Sequence, residues 1–517
     1  MKLQRRNINQ LKAGTTLSYV NVLLSAVVTL LFPPFMISSL GGEEFGLYAT
    51  IGSVASYLAL FDFGLGNAII RYVAKYRAEH DEKGEANFLA ISMILYGVIS
   101  VLATIVGIVL TLNLGSLFPD YSDEHLAKAQ IMVALLIVNV VGGLFLNAFS
   151  GIMTGAGEFV FPRLRIIART LLRPAVLVVV LLQGFDSVAI VIVDTILCLV
   201  FMLINIRYCF RGMGVKIKLY NFNFKFVREI FSFSFFLFLN LVVDMLYWKA
   251  GQIMLGAKDL FAAGAYENVM MIKTMYLMIS GAISGVFLPR VTQMEVRKAS
   301  GEEFTDLMIR TGRMQFIVIG LILAGFTAVG KPFIRLWIGS VYDVVYPISV
   351  LMMVALFVPL IQSVGISVLQ AKKMHWFRGV SYLGIAILCI ASSILTIDSF
   401  GIWGVAVSTM AALFLGQGIV MNFYYHFKVG LNIPRMFAGM CKGLLPSMLL
   451  AFAAGWGLSF IPPLRDSNLL GFLVPGFTVV AVYAVCMLTF GFNAEEKELF
   501  RSITGKITGI FRRKKKV

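Results

Sequence analysis

"FDFGLGNAIIRYVAKYRAEHD", residues 61–81, places a carboxylate at the end of a long apolar run, passes two glycines, and then becomes basic on a helical period. An apolar run that ends in Lys and Arg reads as the inner end of a membrane-crossing helix. The composition agrees: 59% of the residues are hydrophobic, 14% are charged, and the mean hydropathy is +0.86. Apolar windows near the roughly 20 residues needed to cross hydrocarbon recur along the chain. They fall at about 14–38, 45–70, 87–112, 127–153, 166–183, 187–208, 229–251, 261–288, 313–338, 345–370, 378–397, 401–424, 436–460 and 468–492. The expected fold is an all-α integral membrane protein of about 14 transmembrane helices. A β-barrel is disfavoured, because the runs are continuous rather than alternating.

Lys and Arg in loops set the orientation. With the amino terminus inside, the outer loops carry only Lys128, Lys258, Lys331, Arg335 and Arg465. Both termini are then cytoplasmic, and the net charge of +17 follows from topology rather than from a nucleic-acid partner. The first apolar run is long enough to span and has no small-residue cleavage pattern after it, so "MKLQRRNINQLK" reads as a retained start. The carboxyl-terminal "EEKELFRSITGKITGIFRRKKKV" reads as an amphipathic helix lying on the inner surface.

No catalytic or metal constellation is visible. Cys198, Cys209, Cys389, Cys441 and Cys486 fall in or beside apolar windows without metal spacing, and His80, His125, His375 and His426 are single. The outer loops are short, which argues against a membrane glycosyl enzyme. The expectation is no enzyme, no metal and no cofactor beyond coupling to protons, sodium or the membrane potential.

Two weak internal repeats are present. "LGGEEFGLYATIGSVASYLALFDFG" parallels "LGAKDLFAAGAYENVMMIKTMYLMISG", matching Gly46 and Tyr48 to Gly264 and Tyr266. "GIMTGAGEFVFPRL" parallels "GISVLQAKKMHWFRGV", matching Gly151 to Gly365. Both link helix n to helix n+6. They predict two pseudo-symmetric six-helix lobes, residues 1–210 and 211–427, followed by residues 428–517 with an extra helix pair and a basic tail.

Polar residues inside a bilayer are costly and mark candidate sites. Ser18, Asn21 and Ser25 share one face of the first helix, and Tyr48, Ala55 and Asp62 share one face of the second. Asn240, Asp244 and Trp248 line the seventh, and Glu267 and Thr274 the eighth. Antiparallel register sets Lys249 level with Glu267, and Asp244 level with Lys273. The candidate central cavity is therefore Asn21, Ser25, Tyr48, Asp62, Asn240, Asp244, Lys249, Glu267 and Lys273; the competing reading is charge neutralisation within a helix hairpin. Arg165, Arg169 and Arg173 form a cationic stripe that, with Arg71, could receive a phosphate-bearing headgroup at the cytoplasmic side. Snorkelling anchors are the plainer reading of the stripe.

"FDFGLGNAIIRYVAKY" at 61–76, the "LG…GLY" lead-in before it, and "LGAKDLFAAGAY" at 255–266 resemble the lipid-linked oligosaccharide flippases of the Wzx type, polysaccharide transporters of the multidrug/oligosaccharidyl-lipid/polysaccharide exporter superfamily. The resemblance implies two lobes around a central cavity lined by helices 1, 2, 7 and 8, and alternating access. It implies a bacterial plasma (inner) membrane location and an undecaprenyl-pyrophosphate-linked oligosaccharide as substrate, moved from the inner to the outer leaflet for O-antigen, lipopolysaccharide or other surface polysaccharide. Membrane lipids and the polysaccharide polymerase and chain-length machinery are the candidate partners. The alternatives are a cation-coupled multidrug antiporter of the same superfamily and a non-transporting polysaccharide-assembly partner.

Overall fold

The computed structural model describes residues 2–222, 224–284, 287–372, 374–498 and 501. Most of the amphipathic tail expected after residue 498 lies outside them. Every regular element among the described residues is helical. Among the described residues nine helices are long and apolar enough to cross a membrane, and two bent pairs raise the number to 11. The pairs are Val345–Ile361 with Val364–Ala371, at 44°, and Ile433–Cys441 with Leu444–Leu458, at 46°. The remaining sequence windows hold Val160–Leu182, Phe224–Trp248 and Leu260–Ser284. The first of these carries Arg163, Arg165, Arg169 and Arg173, which keep it from reading as uniformly apolar.

Side-chain placement is that of a protein whose solvent is lipid. Along Glu82–Leu112, Ile94, Val98, Val101, Ile105, Val109 and Leu112 face outward, while Ser92, Ser100, Ala103 and Gly107 are buried. With hydrocarbon outside, large apolar groups gain nothing by turning inward, and small residues let helices approach.

The chain divides into two compact units, Met1–Met271 with Tyr382–Thr409, and Ile272–Ser381 with Met410–Val517. Within the first, Gly42–Leu58 crosses Leu260–Ser284 at a pair of glycines. A Cβ on Gly46 would collide with the Leu260 carbonyl oxygen, and one on Gly264 would stand 3.1 Å from that of Gly42. Gly46 and Gly264 are the residues matched by the sequence repeat, and they meet at this crossing. Gly46→Ala is expected to lower the thermal midpoint through overpacking of about 1–3 kcal/mol. An unchanged midpoint would mean that the crossing can open without strain.

The repeat is also visible inside each unit. In the first, Phe161 stacks on Tyr208 with ring centroids 3.8 Å apart and planes 5° apart, where the chain widens into a π-helical turn, Tyr208–Gly212. In the second, Phe377 stacks on Tyr424 at 3.9 Å and 7°, beside the π-helical turn Tyr425–Val429. Both rings of the second stack lie about 216 residues beyond those of the first, close to the spacing of the sequence repeats.

Asp62 stands at a break in the second span. Gly42–Leu58 ends in a 3₁₀ turn, Ala59–Asp62, and Phe63 (φ 48°) and Gly64 (φ 73°) are both left-handed before Leu65–Ala78 begins. Gly64 adopts that backbone freely, whereas Phe63 does so against its side chain. The Asp62 carboxylate accepts a hydrogen bond from the Tyr96 hydroxyl at 3.0 Å.

In the second unit, Arg313 of Gly301–Trp337 gathers three chain segments. Its Nε and Nη2 donate to Glu496 at 2.7 and 2.8 Å. Nη2 also donates to the Gly491 carbonyl at 2.8 Å, and Nη1 to the carbonyls of Lys442 and Gly439 at 2.7 and 3.1 Å. Beside it lies a cavity of about 610 Å³ whose lining includes Arg290, Gln293, Arg297, Arg310 and Asn493.

Candidate functional site

The polar centre of the first unit is built on three helices. Arg173 lies in Val160–Leu182, Asp194 in Ser187–Arg207 and Tyr48 in Gly42–Leu58. Arg173 Nε donates to Asp194 Oδ1 at 2.6 Å, and its Nη2 donates to Asp194 Oδ2 and to the Tyr48 hydroxyl, each at 2.9 Å. The fork-to-fork geometry is the strong form of the arginine–carboxylate contact. Glu267 lies near enough for its charge to act on the Tyr48 hydroxyl. The Arg173 and Asp194 side chains keep 27% and 14% of their surface exposed.

Arg169 and Arg165 continue the stripe on the same face, one and two turns back from Arg173. The charges of both act on Cys198 of the facing Ser187–Arg207 helix and on each other, so their guanidinium groups lie close together beside that helix. Among the described residues no carboxylate pairs with either, and Arg165 Nη1 is buried with no hydrogen-bond partner. The stripe thus separates into two uncovered cations and one covered by Asp194. Arg173 is thirteen residues into its helix, about 20 Å along at 1.5 Å per residue, well away from the end that begins at Val160.

The other candidate residues are more dispersed. Asn21 accepts from the Thr170 hydroxyl at 3.2 Å, which turns the polar face of Lys2–Leu40 toward Val160–Leu182. Ser25 is half-buried, and Asn240 and Asp244 are exposed on Phe224–Trp248. Lys249 forms no ion pair with Glu267 among the described residues; it stands at a one-residue interruption (φ −112°) between Phe224–Trp248 and Ala250–Lys258, across which the i→i−4 hydrogen bonds continue. Lys273 is buried and belongs to the second unit. Arg71 is exposed, its guanidinium 5.9 Å from the Tyr72 ring centroid.

Sequence reasoning missed Asp194. The signal was present, since "VIVDTILC" is an acid within an apolar window.

The second repeat contains a neutral counterpart of the triad within the same unit. The Tyr266 hydroxyl lies 3.4 Å from Thr409 Oγ1, and Cys389 Sγ lies 3.8 Å from the same oxygen. Tyr266, Cys389 and Thr409 stand about 216 residues beyond Tyr48, Arg173 and Asp194 respectively.

Comparison with known proteins agrees with this architecture. The membrane protein EpsK of Bacillus subtilis (strain 168) is 21% identical over 515 residues, covering 94% of this chain and 97% of EpsK. Among solved structures, the inward closed conformation of the lipid II flippase MurJ superposes with a TM-score of 0.72 at 15% identity, over 92% of this chain and 97% of MurJ. An inward-facing multidrug resistance MATE family transporter of the MOP superfamily gives 0.64 at 14%, over 80% and 95%. These likenesses show an all-helical transporter fold. Residues 11–295, more than half the chain, match the family of polysaccharide biosynthesis proteins, and the protein is a member of that family.

Proposed function

We propose that the protein is a flippase that carries an undecaprenyl-pyrophosphate-linked oligosaccharide from the inner to the outer leaflet of a bacterial plasma membrane by alternating access, serving the export of O-antigen or another surface polysaccharide. The observation that carries this reading is the arginine face of Val160–Leu182. Two guanidinium groups without carboxylate partners, and a third held by one carboxylate, suit the phosphate oxygens of a diphosphate. A cationic face favours a phosphate over a drug cation, which would need a carboxylate-rich cavity. Family membership and the fold shared with a lipid II flippase support the same reading.

No bond is made or broken in such a reaction, so the protein's task is differential binding by two conformations. Arg71, Arg165 and Arg169 receive the headgroup from the cytoplasmic side. Lys249 and Lys273 supply further cations. Asn21, Ser25, Tyr48, Asn240 and Glu267 offer hydrogen bonds to sugar hydroxyls, and the lipid tail stays in the bilayer. Asp62 and Asp244 are the carboxylates whose state differs between inward-open and outward-open forms. Two pseudo-symmetric lobes, 1–210 and 211–427, move about the crossing at Gly46 and Gly264, both termini stay cytoplasmic, and polymerase and chain-length proteins take up the product.

In cells lacking the protein, lipid-linked sugar is expected to accumulate on the inner leaflet. Arg169→Ala should reproduce that accumulation, and Arg169→Lys should relieve part of it, because an ammonium keeps the charge and loses the fork. Normal surface polysaccharide in the deletion, or accumulation only on the outer leaflet, would overturn the assignment.

A further inference from the structure

Burying a guanidinium and a carboxylate at membrane depth is costly, and exchanging such a pair for neutral groups often costs no stability. The protein makes that exchange in its own second repeat, where Thr409 and Cys389 stand in place of Asp194 and Arg173. At those positions the second repeat packs without an ion pair.

The position of Asp194 suggests what the pair does. It holds the Nε–Nη2 edge of the last arginine on the face, with Tyr48 on the same Nη2, and leaves Arg165 and Arg169 without a carboxylate. A phosphate-bearing lipid reaching Arg173 must take the guanidinium from a carboxylate that already binds it in a fork. A phospholipid phosphodiester offers one negative charge against that carboxylate's one. A diphosphate bridge offers two, so it can displace the carboxylate where a phosphodiester cannot. Phospholipids also fill the bilayer, and an uncovered ladder of three arginines would admit them. Specificity against so abundant a competitor calls for an element directed against it.

We propose that Asp194 is a specificity-determining residue, an internal anion that keeps monoanionic phospholipid headgroups off Arg173 and yields it to a diphosphate. The proposal rests on the flippase reading for the identity of the diphosphate lipid. The exclusion of phospholipid can be measured without it.

The test uses full-length protein in phosphatidylcholine vesicles containing a trace of fluorescently labelled phosphatidylglycerol, with dithionite bleaching the outer leaflet. Wild type should scramble the label at the protein-free rate. Asp194→Asn should raise that rate about tenfold, and Arg173→Gln combined with Asp194→Asn should abolish the gain, because no freed guanidinium remains. Wild-type behaviour of a correctly incorporated Asp194→Asn overturns the proposal. Should that variant fail to fold, wild type is titrated with farnesyl diphosphate and with farnesyl methyl phosphate, a monoanionic phosphodiester, while its thermal midpoint is followed. The diphosphate should act at about tenfold lower concentration, and equal potency overturns the proposal. If wild type moves no lipid-linked glycan while Asp194→Asn still opens a phospholipid path, the glycan assignment falls and the anion filter stands.

Discussion

Arg313→Ala is expected to destabilise the second unit by about 3–5 kcal/mol, the range for breaking a buried ion pair by removing one partner. The guanidinium makes five hydrogen bonds, and the Arg313 and Glu496 side chains keep only 6% and 9% of their surface exposed. Its loss would strand the Glu496 carboxylate and the carbonyls of Gly439, Lys442 and Gly491 together. Glu496 is otherwise committed locally: it accepts from the Asn493 amide at 2.9 Å, and its own amide donates to Asn493 Oδ1 at 2.8 Å, so it cannot swing out to water without undoing that turn. Arg313→Lys should recover little, because an ammonium has three donors where five are used. Arg313→Met with Glu496→Leu should recover more than either single change, since no unpaired charge is left. The readout is the thermal midpoint of detergent-purified protein. An Arg313→Ala midpoint equal to that of wild type would show that the clamp contributes nothing to stability.

That clamp shows where reading the sequence runs out. Arg313 and Glu496 are 183 residues apart, and in sequence each is an ordinary charge at the edge of an apolar window. The windows themselves were legible, because lipid demands long apolar runs with every backbone group satisfied inside the helix. The repeat was legible at Gly46 and Gly264 because a close helix crossing tolerates only glycine there, which leaves a mark at matched positions. The breaks were not. Hydropathy does not distinguish a continuous span from one that passes through a 3₁₀ turn at Ala59–Asp62 or bends between Ile361 and Val364. Arg173 stands out in the sequence as part of an i, i+4, i+8 arginine stripe, whereas its partner Asp194 is a single acid on the sixth helix, outside the polar stripes of helices 1, 2, 7 and 8.

Asp62→Asn is expected to accumulate and insert like wild type and to export at least about tenfold more slowly, with lipid-linked sugar building up on the inner leaflet. The structure separates the two roles this side chain can have. As a structural acceptor it receives the Tyr96 hydroxyl at 3.0 Å, and Tyr96 is wholly buried. The Asn side-chain oxygen keeps that bond, so an Asn variant leaves the hydroxyl satisfied and removes only the charge. Asp62→Leu, by contrast, strands the hydroxyl and should lower stability by about 1–3 kcal/mol. No cation pairs with Asp62 among the described residues, so charge neutralisation does not account for a carboxylate at this depth. It stands where the second span leaves helical geometry, between a 3₁₀ turn and two left-handed residues. A segment held in such backbone can change shape at less cost than a continuous helix, and a carboxylate there gains or loses hydration as it does so. If Asp62→Leu loses protein while Asp62→Asn exports normally across external pH, the carboxyl group serves Tyr96 alone. The charge that responds to the transport cycle would then have to be Asp244 or Glu267.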